Sequence, residues 1–345
     1  MSYGLVVRIC VGAGALTLAA WTGEPWRANL AIGSEICGLT DEPPPAWLYP
    51  INPARETEQA SDPNALRRVP ESVQSYTNEQ VDDLFIAPDW HPEDHAPAPT
   101  VVSRGRPPQT YACGYCHRIT GSGAPENAHL AGLSVAYIRQ QLMDFRSGSR
   151  RSSRQERIPQ SYMTVVAQSL TDAEIDDAAR YFAGQLAIVT AHVVESRVAP
   201  SVHIENWSLA PDRPLKRELL GRRLLELPDD LEDFKSRDTR AKFTIYVPVG
   251  SVARGRSLAN GGGRTGCTSC HGQRLQGEGM APPLTAQSPS YLLRQLVDFS
   301  RGTRHAPQAE AMVAVARSLS IDDMIAVVAY AASLAPLAST PEDGK

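Results

Sequence analysis

Long apolar runs are absent from this chain. No stretch reaches the roughly 18 residues that mark a membrane span. Aromatic residues are scarce, at 6% of 345 residues. Charge of one sign is also missing: 34 Lys+Arg against 38 Asp+Glu leave a net charge of −4, which argues against a strongly basic nucleic-acid binder. Six cysteines are too few for a small disulfide scaffold of this length, so their spacing must be read instead. At 42% hydrophobic and 21% charged residues, the chain is not disordered as a whole. Proline is plentiful, with 27 against 25 glycines, which points to long irregular connections between modest helices. The length suggests two domains, at a nominal ~150 residues each.

The N-terminus reads as an export signal. Arg8 precedes an apolar stretch, Ile9–Ala20, and Thr17, Ala19 and Ala20 supply small residues near its end. No clean A-x-A cleavage site stands out, so an uncleaved anchor is one alternative and a buried N-terminal helix another. Neither Cys10 nor Cys37 lies in a lipoprotein box. Export implies an oxidising compartment outside the cytoplasm. With a leader removed after Ala20, Cys37 is the one cysteine outside the pairs described next.

Four cysteines fall in two copies of one pattern. These are Cys113-Gly-Tyr-Cys116-His117 and Cys267-Thr-Ser-Cys270-His271. C-x-x-C-H is the signal for covalent c-type haem attachment. Two thiols at this spacing add across the two vinyl groups on one edge of the porphyrin. The histidine that follows then lies beneath the iron as the proximal ligand. A lone C-x-x-C could be a redox dithiol or half a zinc site. Two C-x-x-C-H copies behind an export signal favour two covalently bound haem c groups, held by Cys113, Cys116, Cys267 and Cys270, with His117 and His271 on iron.

The repeat extends well past these motifs. Cys113 and Cys267 are 154 residues apart. At the same offset, Ser134-Val-Ala-Tyr137-Ile-Arg-Gln-Gln-Leu142-Met-Asp144-Phe145 returns as Ser288-Pro-Ser-Tyr291-Leu-Leu-Arg294-Gln-Leu296-Val-Asp298-Phe299. Both predict helices, with Ser288 as N-cap and Pro289 at the first helical position. After a five-residue shortening, Met163-Thr-Val-Val-Ala-Gln-Ser-Leu170 returns as Met312-Val-Ala-Val-Ala-Arg-Ser-Leu319. A helix follows each, capped by Thr171 with Glu174 and by Ser320 with Asp323. Upstream, Val102-Ser-Arg-Gly105-Arg106 returns as Val252-Ala-Arg-Gly255-Arg256. Each module therefore reads as an N-terminal helix, C-x-x-C-H, a middle helix, a methionine and a C-terminal helix.

The duplication also selects the sixth iron ligand. Met143 aligns with Val297 and Met324 with Ile175, so both read as core positions. Met280 follows His271 by only nine residues and has no counterpart in the first repeat. Met163 and Met312 align with each other, 46 and 41 residues after their histidines, and are the expected axial ligands. His/Met ligation suits electron transfer. His91, His95, His129, His192, His203 and His305 do not recur at equivalent positions and read as surface or loop residues. Arg146, Arg150, Arg151, Arg154, Arg301 and Arg304 form a basic stripe after the middle helices, expected to be solvated or to pair with haem propionates, and alternatively to dock a partner.

On these residues the chain resembles dihaem class I cytochromes c of bacterial periplasms. Pro125-Glu-Asn-Ala-His-Leu130-Ala-Gly132 and Pro282-Pro-Leu284-Thr-Ala286 resemble the family's P-x-L-x-G loop, with Ala286 where glycine is expected. The resemblance implies that Gly105 packs on Tyr181 and Gly255 on Tyr330. It also implies that the Pro125 and Pro283 carbonyls accept hydrogen bonds from the proximal histidines. The fold implied is mainly α, with two tandem class I cytochrome c domains joined by a long inserted linker with short strands, plus a Pro-rich N-terminal arm.

The expected division is a signal peptide at 1–20, an irregular arm at 21–97, a first cytochrome c domain at 98–187, a linker subdomain at 188–247, a second cytochrome c domain at 248–336 and a tail at 337–345. One arm helix is expected near Thr77–Phe85, and Thr244-Ile-Tyr-Val-Pro-Val reads as a strand. Trp90 and Trp207 read as anchors or docking points, and the charged run 229–240 as a solvated face. The function expected is single-electron carriage between redox-protein donors and acceptors, among them a membrane respiratory complex or a dehydrogenase subunit. No nucleic acid is involved, and membrane association would run only through an uncleaved N-terminus. Two alternatives stand beside it: an electron-accepting cytochrome subunit of a larger dehydrogenase or oxidase, and a dihaem peroxidase-like enzyme with one open haem. The two equivalent methionines argue against the last, and no catalytic residue is expected.

Overall fold

Each repeat folds into the helix order that its sequence announces. The structure, a computed structural model, describes residues 43–53, 62–262 and 266–336. The leader at 1–20, Cys10, Cys37 and the tail at 337–345 lie outside the described residues. All described residues belong to one unit, Thr40–Lys345.

The arm carries a two-residue strand pair, β1 (Leu66–Arg67) and β2 (Tyr76–Thr77), and helix α1 (Asn78–Asp82). Thr77 caps α1 through a full capping box with Gln80. The first module follows: α2 (Thr100–Ser103), α3 (Cys113–His117), α4 (Val135–Ser147), α5 (Ile158–Ser169) and α6 (Asp172–Ala183). Ser134 caps α4, and Thr171 with Glu174 closes a capping box on α6. Val102, Ile138, Phe145, Ala179 and Phe182 make its core.

The linker folds into seven strands and one helix. These are β3 (Ala191–Glu195), β4 (Val198–Pro200), β5 (Val202–Glu205), β6 (Ser208–Pro211), β7 (Arg217–Leu219), β8 (Leu225–Pro228), α7 (Leu231–Lys235) and β9 (Phe243–Val247). β9 is central in a three-stranded sheet, parallel to β3 and antiparallel to β8. β5 and β6 form a hairpin whose turn residues, Asn206 and Trp207, both have positive φ, as a two-residue primed turn requires.

The second module comprises α8 (Ser251–Ala259), α9 (Thr268–His271), α10 (Pro289–Ser300), α11 (Glu310–Arg317) and α12 (Ile321–Ala332). Its core of Leu293, Val297, Met324, Ile325 and Val328 also takes in Leu48 and Tyr49 of the arm and Ile245 and Val247 of β9. Arm, linker and second module thus share one apolar interior. At the other side of the linker, Phe234 and Phe243 pack with Ala124 of the first module. Buried Glu226 accepts hydrogen bonds from Ser288 Oγ (2.6 Å) and Ser290 N (2.9 Å), placing a carboxylate at the N-terminus of α10.

The modules differ at their first helix. α8 runs nine residues, but α2 stops after four. Arg106 precedes Pro107-Pro108, and proline both restricts the residue before it and lacks an N–H. Gly255 lies within α8 against α12, where a Cβ would fall inside the Ala326 carbonyl and 2.8 Å from Tyr330 Cβ. Gly105 lies beyond α2, with its close neighbours in 110–112. The Tyr181 hydroxyl donates to Ile119 O (3.0 Å) and meets His95 Nδ1 (3.1 Å).

The charged run 229–240 is a solvated face only in part: Asp229, Asp230 and Glu232 are exposed, but its C-terminal end is tied to the arm. Asp238 is 4% exposed and pairs with buried His91 (3.1 Å), and Arg240 holds Glu71, Glu93 and Asp94 of the arm. Both tryptophans are anchors. Trp90 is buried and donates from Nε1 to Ser236 O (2.7 Å). The Trp207 backbone N–H donates to Asn52 Oδ1 (2.7 Å), and its backbone carbonyl accepts from Arg157 Nη2 (2.7 Å). Among the described residues no helix is long and apolar enough to cross a membrane.

Candidate haem sites

The five residues of the first C-x-x-C-H make one turn, α3, which brings Cys113 and His117 onto the same helix face. α9 repeats this for His271, with Cys267 at its N-cap position. Both imidazoles are buried, at 8% and 6% exposure. His117 Nδ1 donates to Ala128 O (2.8 Å) and His271 Nδ1 to Pro282 O (2.7 Å). A carbonyl can only accept, so the ring proton sits on Nδ1 and the Nε2 lone pair is left free. Burial pushes His117 down to about 4 and lowers His271 as well, which keeps both rings neutral.

The acceptors correct the expected loop register. They are Ala128 and Pro282, each eleven residues after its histidine, not Pro125 and Pro283. The Pro125 carbonyl instead accepts from Arg294 of the other module. At the end of the second loop, Ala286 adopts φ +61°, close to the +72° of Gly132, so the expected conformation is retained without the glycine.

Both motifs open onto one continuous cavity with about 2800 Å³ of empty space, its mouth included. Cys113, Cys116, His117 and Met163 line it from the first module, and Cys267, Cys270, His271 and Met312 from the second. Met163 lies on α5 and Met312 on α11, partly buried against their own cores. Apolar walls come from Ile138, Phe145, Phe182, Leu292, Leu296 and Phe299. Met324 is a core residue at 1% exposure, as expected, but Met143 is 45% exposed beside Arg146 and is not. Met280 is 51% exposed and also reaches the cavity.

The basic stripe divides. Arg146 and Arg151 hold backbone carbonyls, at Ala167 (2.9 Å), Leu170 (2.7 Å) and Gly148 (2.8 Å), while Arg150 and Arg304 are buried on the cavity wall. The Nε groups of Arg150, Arg157 and Arg304 are buried without a hydrogen-bond partner. Unpaired buried cations and N–H donors on an apolar wall are costly, and carboxylates would satisfy them. Two haem groups, each carrying propionates, fit this lining: apolar walls, free Nε2 atoms, thiols at the cavity edge and spare donors within. The full polar network escaped the sequence reading, although Tyr137 with Tyr291, Gln141 with Gln295 and Arg150 with Arg304 all recur at the 154-residue offset.

Three histidines are not surface residues. His91 is buried against Asp238, His95 has a largely covered side chain against Asp89, and His129 is 2% exposed. His129 Nδ1 donates to Ala286 O across the modules (2.8 Å), and its buried Nε2 has no partner. His192, His203 and His305 are exposed, as expected.

The cytochrome c family model matches residues 105–184 and 252–335. The chain is 28% identical over 233 residues to the thiosulfate dehydrogenase electron acceptor of Stutzerimonas stutzeri, covering 67% of this chain and 82% of that protein. It is 27% identical over 226 residues to cytochrome c4 of Pseudomonas aeruginosa, covering 63% and 81%. Cytochrome c-554(548) of Halomonas halodenitrificans is 34% identical over 74 residues, 21% of this chain and 83% of that protein. Among solved structures, the TsdBA thiosulfate dehydrogenase of Marichromatium purpuratum matches 68% of this chain with a TM-score of 0.45 and 28% identity, and the match spans 39% of that chain. The chain belongs to the cytochrome c family, as a dihaem class I cytochrome c with two covalently bound haem c groups that carries electrons.

Proposed function

We propose that Cys113 and Cys116 hold one haem and Cys267 and Cys270 the other, with His117 and Met163 on the first iron and His271 and Met312 on the second. The observation that carries this is the pair of fixed tautomers. Both free Nε2 atoms belong to rings lining a cavity that Met163 and Met312 also line. When bound, haem supplies an iron that alternates between the ferrous and ferric states. The chain's part is to set the potential through ligands, burial and hydrogen bonds, and to exclude water. Burial pushes the Cys113 thiol up to about 12 and raises Cys116 too, so thioether formation is easier before the module closes than after. With both sixth positions taken by methionine, no open iron is left for peroxidase chemistry, and the protein is a carrier in the periplasm rather than an enzyme.

A second reading concerns the donor. The similarity to a thiosulfate dehydrogenase electron acceptor extends over 82% of that protein, which favours a sulfur-oxidising dehydrogenase as the source of electrons. We propose the same division as the sequence reading: an arm to 97, a first module at 98–187, a linker at 188–247 and a second module at 248–336.

Optical spectroscopy of the purified holoprotein tests the ligation. Retention of the near-infrared methionine-to-iron band by both ferric haems, with no CO binding after reduction, is expected. Rapid CO binding at either haem would overturn the closed-site carrier.

A further inference from the structure

The two C-x-x-C-H edges share a half-buried first cysteine and differ in exposure at their third and fourth positions. In the first module, Tyr115 is 7% exposed. Leu84 and Ala87 of the arm pack with Tyr115 and Cys116, and Ala112 N donates to Leu84 O (3.0 Å). From the linker, the Arg237 guanidinium lies 3.7 Å from the Tyr115 ring centroid and donates to its hydroxyl (2.6 Å). In the second module the matching residues, Ser269 and Cys270, are exposed. Neither arm nor linker covers them among the described residues. Met280, 51% exposed, lines the same cavity as Cys267, Ser269 and Cys270.

A haem joined to these cysteines presents its vinyl edge at each motif. Electron transfer between proteins weakens steeply with separation, so a covered edge exchanges poorly and an open one well. We propose that the Cys267–Cys270 edge is the port through which external redox proteins exchange electrons, and that the first haem is served through the second. This rests on the haem attachment proposed above. The shared cavity, lined by both modules, makes the inner transfer short. Among the exposed residues from Ser269 to Met280 in the chain, Ser269, Gly279 and Met280 are uncharged, and Arg274 and Glu278 oppose each other in sign. The partner that fits is a redox protein offering an uncharged, partly apolar rim around its own cofactor edge, with docking only weakly sensitive to salt.

Stopped-flow oxidation of the fully reduced holoprotein by ferricyanide at low ionic strength tests this. Haem content per chain is measured first, and a value below two would sink the attachment reading instead. The oxidant is an anion, so Met280→Lys is expected to raise the second-order rate about two- to fivefold and Met280→Asp to lower it similarly. The change should apply to the whole haem absorbance and fade with salt. Asp82→Lys, an exposed change at the covered edge, should leave the rate unaltered. Acceleration of half the absorbance by Asp82→Lys, or an effect of Met280 changes on only half, would overturn the single port.

Discussion

Arg150 and Arg304, 154 residues apart, reach into each other's module with matching hydrogen bonds. Arg150 donates to Gln141 Oε1 (2.8 Å) in its own module and to Tyr291 Oη (2.6 Å) and Gln295 Oε1 (3.1 Å) in the other. Arg304 donates to Gln295 Oε1 (3.0 Å) in its own and to Tyr137 Oη (3.2 Å) and Gln141 Oε1 (2.6 Å) in the other. Each guanidinium also lies over a phenylalanine, Arg150 on Phe145 (4.5 Å) and Arg304 on Phe299 (4.3 Å). The backbones form an antiparallel bridge at the same pair. The duplication in sequence has become a local two-fold relationship in space.

Arg150→Ala or Arg304→Ala should each destabilise the holoprotein by about 2 kcal/mol or more, because buried Gln295 and half-buried Gln141, Tyr137 and Tyr291 lose a charged partner. The two share Gln141 and Gln295, so the double variant should cost clearly less than the sum. Guanidinium unfolding of the four proteins measures this. Strict additivity would mean that the two arginines act independently.

Met163→Ala and Met312→Ala should each open one iron. Half the near-infrared band is lost in each, CO binds one haem per chain, and the affected potential falls because the methionine ligand is gone. Redox titration and CO spectra check this. An intact band in either variant would move the ligand elsewhere, with Met280 next in line for the second module.

Burial holds His129 down to about 4, against its ordinary 6.5. The unfolded chain therefore binds a proton that the folded one does not between these values. Stability from this group is complete above about pH 6.5 and declines as the pH falls to 4, by roughly 3 kcal/mol in all. His129→Gln keeps a donor for the Ala286 carbonyl and should flatten the acid limb of the stability curve. An unchanged pH profile would show that His129 is charged, or titrates normally, in the folded protein.

Ala286→Gly and Gly132→Ala should act in opposite directions. Ala286 has a left-handed φ of +61°, which costs an L-residue about 1 kcal/mol. Replacing it with glycine removes that cost, although a more flexible unfolded chain offsets part of the gain. Gly132 has φ +72° and no atom closer than 3.7 Å to where a Cβ would sit, so alanine there should lose about 1 kcal/mol without a clash. Thermal unfolding of the two variants provides the comparison.

Chemistry tied to short spacings was legible along the chain. The two C-x-x-C-H turns, the capping pairs at Thr171 and Ser320, and the recurrence of Met163 as Met312 all depend on neighbours a few residues away or on simple repetition. The strand at Thr244 and the helix after Thr77 were visible for the same reason, although that helix ends at Asp82. The loop register was misread because several prolines competed for one role, and only the histidine's reach, eleven residues on, chooses Ala128 and Pro282. Met143 was placed in the core by alignment with Val297, yet the repeats diverge there and its side chain points outward.

The sequence by itself determined that there are two modules, that each carries two thiols, a histidine and a methionine in matching order, and that a large insert separates them. Covalent geometry and helical periodicity make such features local. Tertiary structure alone decided which surface each module presents. It buried Arg150, Arg304, His91 and His129, turned Asp238 of the linker inward, and covered Tyr115 beside Cys116 while leaving Ser269 and Cys270 exposed. Exposure depends on what packs against a residue from far along the chain, and among the described residues the arm and linker that cover one edge have no counterpart over the other.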